Sequence, residues 1–365
     1  MKKEVVTYTP SGIPEPYNAY IRERNANVGK HLAEIQGTVF SGEYTDTPKA
    51  LTDKFYVPAK TLPISIAENL GIVTSEDLYG GVVEHAIFAT KSVLHPTLYS
   101  NSPAPGIYPR NFAWVLTERN LVLPGYTTFD SSQQEAFQIF NLLREQGFVV
   151  RLKEPDQSDG DGQAVISDTQ YLRNLLDRYP GEVIFQKGLI LETNVQNGKT
   201  VSIGQTSITG KDYTHIAFQK DIRQNGRTIY GGATMMIFKG NLENLIQNYA
   251  FDPDVTIALK QSYQIHQAYG ELDPKLSRAS YDVLQGFDSK GNFLSGVTDQ
   301  TFRLGGSSPA EVLAIEYLNN KPDINFVDAE VTLDYSPNSH VGAQEIIFLD
   351  QPQLRITAKL IESDI

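Results

Sequence analysis

Two β-rich arms, ASYDVLQGF (Ala279–Phe287) and FLSGVTDQTFRL (Phe293–Leu304), flank the turn Asp288-Ser289-Lys290-Gly291-Asn292. Turn residues of this kind between arms of strand-forming residues specify a hairpin. The hairpin places Asp282 and Asp299 on neighbouring strands. If both point to one face, they form a paired-carboxylate site that suits Mg2+ beside a nucleotide, because this hard ion takes one or two carboxylates and leaves its other positions to water and phosphate. Arg303 and the flexible pair Gly305-Gly306 follow, where a cation and free backbone N–H groups can meet an anion.

The chain has 365 residues, more than one core usually organises, so two or three packed subdomains are expected. A net charge of −12 argues against a nucleic-acid partner, whose phosphates need a basic face. The chain contains no cysteine, which removes disulfides, thiolate catalysis and thiolate metal sites together. The segment MKKEVVTYTPSG lacks the apolar run of about 7 to 15 residues of a signal peptide. No apolar stretch approaches the ~18 residues that suggest a membrane span. The expectation is a soluble, cytoplasmic protein with no membrane partner.

Local patterns predict strands at Glu4–Tyr8, Leu121–Gly125, Phe148–Lys153, Ala164–Ile166, Val183–Phe185 and Leu189–Glu192. Helices are predicted over Asn25–Ile35, Ile64–Leu70, Asp130–Gln146, Thr169–Tyr179 and Pro309–Leu318, the last with proline at its start. The final third reads as strand-rich up to Ser307, and three terminal strands (Phe326–Tyr335, Glu345–Leu349 and Leu354–Leu360) are expected to cap the fold or to form a homo-oligomer contact.

Taken in order from about Tyr56 to Leu318, these pieces resemble the ATP-grasp superfamily, and more closely a bacterial family of uncharacterised ATP-grasp-like proteins. Thr90-Lys91 resembles the first phosphate lysine, and Lys153, followed by Gly160, Gly162 and Gln163, resembles the second lysine with its glycine-rich lid. Glu192, Thr193, Asn194 and Val195 are similar to the hinge that holds the adenine edge. Asp282, Asp299 and Thr301, with Arg303 after them, match the set written as an acid, then acid-x-Asn-x-Arg.

The resemblance implies an α/β and α+β architecture: an N-terminal pre-ATP-grasp domain (1–120), a lobe with the glycine loop and hinge (121–205), a lobe with the metal site (206–310) and a β-rich C-terminal extension (311–365). It implies ATP and Mg2+ as cofactors. The implied activity is activation of a small-molecule carboxylate as an acyl phosphate, which an amine or other nucleophile then attacks. Arg303 and Arg278 are the candidates for contact with the transferring phosphoryl group, or else structural partners of the aspartates. Thr301 stands where asparagine is usual, Asp299 where glutamate is usual, and Asp156, Asp159 and Asp161 crowd the glycine loop. These departures leave two other readings open: a phosphotransferase acting on a hydroxyl, and a non-catalytic nucleotide-binding or scaffold protein. The six histidines (His31, His85, His95, His215, His266 and His340) show no ligand spacing and read as structural, although His85 and His95 flank Lys91.

Overall fold

In a computed structural model of the chain, the hairpin forms as strands Arg278–Phe287 and Phe293–Thr301, paired antiparallel. The structure describes residues 3–10, 17–45, 54–157, 162–224, 226–336 and 341–361. At the turn, the Asp288 carboxylate accepts from the amides of Lys290 and Asn292 at 2.8 and 2.9 Å, so Asp288 serves the turn itself.

The hairpin is one edge of an eight-stranded antiparallel sheet. From that edge the order is Phe293–Thr301, Arg278–Phe287, Gln196–Ile208, Lys211–Gln224, Arg227–Lys239, Phe326–Asp334, Leu354–Ile361 and Ile346–Gln351. Because strand side chains alternate, each strand serves two layers. Val201, Ile203, Ile216, Tyr281 and Val283 pack with Ala258, Leu259 and Ile265 of the helix Pro253–Tyr269. On the other face Ala217, Ala233, Met235, Ile237, Ala329 and Val331 pack with the helices Ser308–Asn320 and Tyr17–Gln36. Towards the hairpin this second face turns polar and carries Ser202, Thr206, Arg278, Ser280 and Asp282.

A β-bulge decides where Asp299 points. Asp282 pairs with Asp299, but Val283 pairs with Val297, so Thr298 is an extra residue that reverses the alternation. Val297 enters the apolar layer beneath the sheet, and Asp299 emerges on the polar face beside Asp282.

A four-stranded antiparallel sheet has the order Gly125–Thr128, Leu189–Thr193, Val150–Lys153 and Gln163–Ile166. Helices Gln134–Glu145 and Thr169–Leu176 cover one face through Ile139, Phe140, Leu143, Leu172 and Leu176 against Val150, Leu152 and Leu191. The alternation sends Arg151, Lys153 and Glu192 to the opposite face. A parallel sheet of Phe40–Glu43, Glu4–Tyr8 and Lys54–Pro58 packs on Tyr17–Gln36, and a small sheet pairs Gly81–Val83 with Lys275–Leu276 and Leu62–Pro63.

Several sequence expectations need correction. Val183–Phe185 lies in the helix Gly181–Lys187, where Pro180 starts the turn and Gly188, at φ +80°, ends it; these local stops outweigh the strand propensity of Val-Ile-Phe. The region read as strand-rich contains the helices Leu242–Asn248 and Pro253–Tyr269. Strand Gln196–Ile208 runs across the expected division at 205/206, and the eight-stranded sheet continues across 310/311. The 311–365 segment therefore completes the large sheet and does not stand beside it.

Candidate functional site

Asp282 and Asp299 face each other across the hairpin. Asp282 Oδ1 accepts from the Ser202 hydroxyl at 2.5 Å, and Asp299 Oδ2 lies 3.0 Å from Lys91 Nζ. Lys91, 7% exposed, also donates to the Gln157 carbonyl at 2.5 Å and so ties the stem of the glycine loop to the carboxylates. Gln300 secures the same segment from the opposite face of its strand by donating to the Thr90 carbonyl at 2.6 Å. Burial, and then the negative charge of Asp299, push the Asp282 carboxyl up to about 6.

The pair has the chemistry for Mg2+: two opposed carboxylates, one of them raised by burial and by the charge of the other, with the hydroxyls of Ser202 and Thr301 on the same face. Among the described residues no group of three or more His, Cys, Asp or Glu could hold a metal, so an all-protein cage of the zinc or calcium type finds no ligands there. The raised carboxyl has a stability consequence. The folded protein holds a proton on Asp282 that the unfolded chain releases near pH 4, so stability of the metal-free protein falls as pH rises from about 4 through 6. Asp282→Asn is expected to stabilise the protein by about 1–2 kcal/mol above pH 7 and by little below pH 4, as thermal melts across that range will show.

The second cluster lies on the four-stranded sheet. Lys153 Nζ is 2.5 Å from Glu192 Oε1, and His95 Nε2 is 3.0 Å from Glu192 Oε2. All three are buried, at 4%, 1% and 1% exposure. Burial alone would raise the Glu192 carboxyl; Lys153 and His95 outweigh it and hold the group at about 2. The close approach depends on Gly125, since a Cβ there would sit 2.7 Å from the Cβ of Glu192. Further along the hinge, the Thr193 and Asn194 amides donate to the Pro124 and Val149 carbonyls at 2.8 and 2.7 Å. Arg151 grips the Asn194 side chain at 2.7 and 3.0 Å and reaches Gln163 at 3.2 Å. Val195 follows Asn194 and packs against Gly286 and Gly198 of the large sheet.

Gly160 lies outside the described residues, as do Asp159 and Asp161. Gly162 closes the neck of the loop at φ +66°, its carbonyl accepting from the Glu154 amide at 2.9 Å. Asp156 has its own cation, Lys187, at 2.5 Å.

The two arginines occupy different depths. Arg303 is half-buried on the strand exit, its Nη1 donating to the Leu304 carbonyl at 2.8 Å. Arg278 is fully buried: Nε and Nη2 meet Glu311 Oε2 at 2.9 and 2.8 Å, and Nη1 donates to the Arg303 carbonyl at 2.6 Å. The acid paired with Arg278 is thus Glu311, on the helix Ser308–Asn320, and not an aspartate of the hairpin.

Sequence reasoning did not find Ser202, Glu311 or the link from His95 to Glu192. Only the last left a trace, as a histidine close to Lys91. His85 is separate, within 3.8 Å of Glu84 and edge-on to Phe88.

Solved structures with the same arrangement are numerous and distant. The biotin carboxylase domain of 2-oxoglutarate carboxylase from Hydrogenobacter thermophilus superposes with a TM-score of 0.57 at 12% identity, covering 99% of this chain and 87% of that one. Biotin carboxylase from Campylobacter jejuni gives 0.55 at 11% identity (98% and 87%). N5-carboxyaminoimidazole synthetase from Staphylococcus aureus, complexed with ADP, gives 0.53 at 13% identity (100% and 95%). At such identities the likeness establishes the fold, which is ATP-grasp. A search of curated proteins finds no match. A family model described as "Protein of unknown function (DUF3182)" matches residues 15–359, and the chain belongs to that family.

Proposed function

We propose that the protein is an ATP-grasp ligase that activates a small-molecule carboxylate through an acyl phosphate, for attack by an amine or other nucleophile, with ADP and phosphate as the other products. The observation that carries this reading is the cluster of Lys91, Asp282 and Asp299, where one lysine joins the stem of the glycine loop to a carboxylate pair that lacks charge balance of its own. Likeness to structures solved with ADP, with MgADP and with β,γ-ATP supports a nucleotide as ligand.

In this reading Lys91 and Lys153 bind the phosphates as point charges. Gly160, Gly162 and Gln163 belong to the lid over them, and the hinge from Glu192 to Val195 orients the adenine edge. Asp282, Asp299 and Thr301 hold Mg2+, which when bound neutralises charge during phosphoryl transfer. Arg303 steadies the transferring group, and Arg278 acts from below by fixing the Arg303 carbonyl. The four-stranded sheet, with Lys153 and the hinge, and the eight-stranded sheet, with the carboxylates, form the two sides of the clamp. The pairing of Asp156 with Lys187 removes one objection to a phosphate beside this acidic loop.

Calorimetric titration with ATP, with and without Mg2+, tests the reading. Saturable binding strengthened by Mg2+, followed by ADP release on screening carboxylate and amine pairs, is the expected result; no binding under either condition would leave a scaffold role. Lys153→Met is expected to weaken ATP binding by about 10- to 100-fold, the scale of a charge-assisted hydrogen bond. Unchanged affinity in the folded variant would remove Lys153 from the site.

A further inference from the structure

We infer that His95 is a positioning residue for Lys153, acting through Glu192. The Glu192 carboxylate is buried, and among the described residues each oxygen has one side-chain partner in contact: Oε1 meets Lys153 at 2.5 Å and Oε2 meets His95 at 3.0 Å. A carboxylate held at one oxygen turns about its last torsion, and the ammonium it holds turns with it. Held at both, it fixes the direction of the Lys153 side chain and leaves the other ammonium protons for a ligand.

Three features make His95 the fixed end of this chain. The ring is 1% exposed and cannot swing out to water. Its backbone carbonyl accepts from the Tyr108 hydroxyl, and Tyr108 is itself packed edge-on against Phe129 at 4.8 Å. Its Nδ1 has no hydrogen-bond partner among the described residues, so the one polar contact of the ring is to Glu192. The tautomer that carries its proton on Nε2 satisfies the carboxylate. With Gly125 leaving no Cβ beside Glu192, no side chain at that position restrains the carboxylate, and the ion pair to Lys153 and the hydrogen bond to His95 do so instead.

The effect of His95 on affinity rests on the nucleotide reading above; its effect on Lys153 does not. The test therefore reads both. The Lys153 ammonium signal is recorded in 1H–15N spectra of 15N-lysine-labelled protein, assigned by its absence from Lys153→Met, and the same samples are titrated with ATP. His95→Gln keeps an amide donor for Glu192, His95→Phe keeps the ring without the donor, and His95→Asn is too short to reach. The wild type and His95→Gln are expected to show the slowly exchanging ammonium, and His95→Phe and His95→Asn to lose it and to bind ATP about tenfold more weakly. Should His95→Phe not fold, His95→Asn supplies the comparison. An ammonium signal that survives in the folded loss variants would overturn the inference, as would a His95→Gln variant as impaired as they are. If the ammonium responds as expected and the wild type does not bind ATP, the nucleotide reading falls and the positioning role stands.

Discussion

Asp299→Asn is expected to reduce Mg2+-dependent ATP turnover by at least about 10²-fold while moving the melting temperature by only a few degrees. The catalytic loss follows from charge. In the proposed role Asp299 holds a metal ion whose charge is worth several kcal/mol of transition-state stabilisation, and each 1.36 kcal/mol is tenfold in rate. The small change in stability follows from position. The Asp299 side chain is 28% exposed, and its pairing with Lys91 is opposed by repulsion from Asp282, so removing the charge loses one interaction and relieves the other. An amide also preserves an oxygen for the Gln300 amide, which Asp299 Oδ1 now accepts at 2.9 Å. Turnover measured with saturating Mg2+, beside a thermal melt, separates the outcomes: a melting temperature lowered by ten degrees or more would assign Asp299 to the architecture.

Glu311→Ala should do the reverse and unfold readily. Glu311 is 1% exposed, takes the Arg278 guanidinium at 2.8 and 2.9 Å, and accepts from the Thr206 hydroxyl at 2.6 Å. Removing it strands a fully buried arginine, at a cost of about 3–5 kcal/mol. On the scale of a chain this long that is a fall of roughly 4–7 °C. Burial alone would raise the Glu311 carboxyl, but Arg278 and His215 overcome it and hold the group far below the usual carboxylate range. The stabilisation is therefore complete above about pH 5 and lost as pH falls below it, so the gap between wild type and Glu311→Gln should narrow in acid melts. Replacing both partners with apolar residues, Arg278→Met with Glu311→Leu, should recover much of the loss. Failure of the double variant to recover would show that Arg278 is needed for its hold on the Arg303 carbonyl and not for charge balance.

The hairpin was legible because its information is local: a turn sequence and two strand-forming arms. The order of Lys91, Lys153, the hinge and the carboxylates came from resemblance to the ATP-grasp superfamily, and the structure brings Lys91 to Asp299 and Lys153 to Glu192. Partners distant in sequence were not legible. Glu311 lies on a largely apolar, buried helix whose sequence names no partner for it; only its packing over the strand of Arg278 makes it a buried counter-ion. His95 likewise had no spacing to mark it, because its partner Glu192 is brought to it by a separate sheet. The helix Pro253–Tyr269 was hidden among strands because its apolar residues serve the underside of the large sheet, a face that sequence does not reveal.

The bulge at Thr298 makes the hairpin tolerant of one kind of change and not of another. Substitutions along Phe293–Thr301 alter one side chain at a time, whereas regular pairing that kept every residue would set Thr298 opposite Asp282 and exchange the two faces of the strand beyond it. Asp299 and Thr301 would then turn inward beside Tyr281 and Ala279, leaving Thr298 and Gln300 on the face of Asp282. Chain length in the hairpin is thus information as specific as residue identity: an arm shortened by one residue keeps Asp299 beside Asp282 only by giving up the bulge.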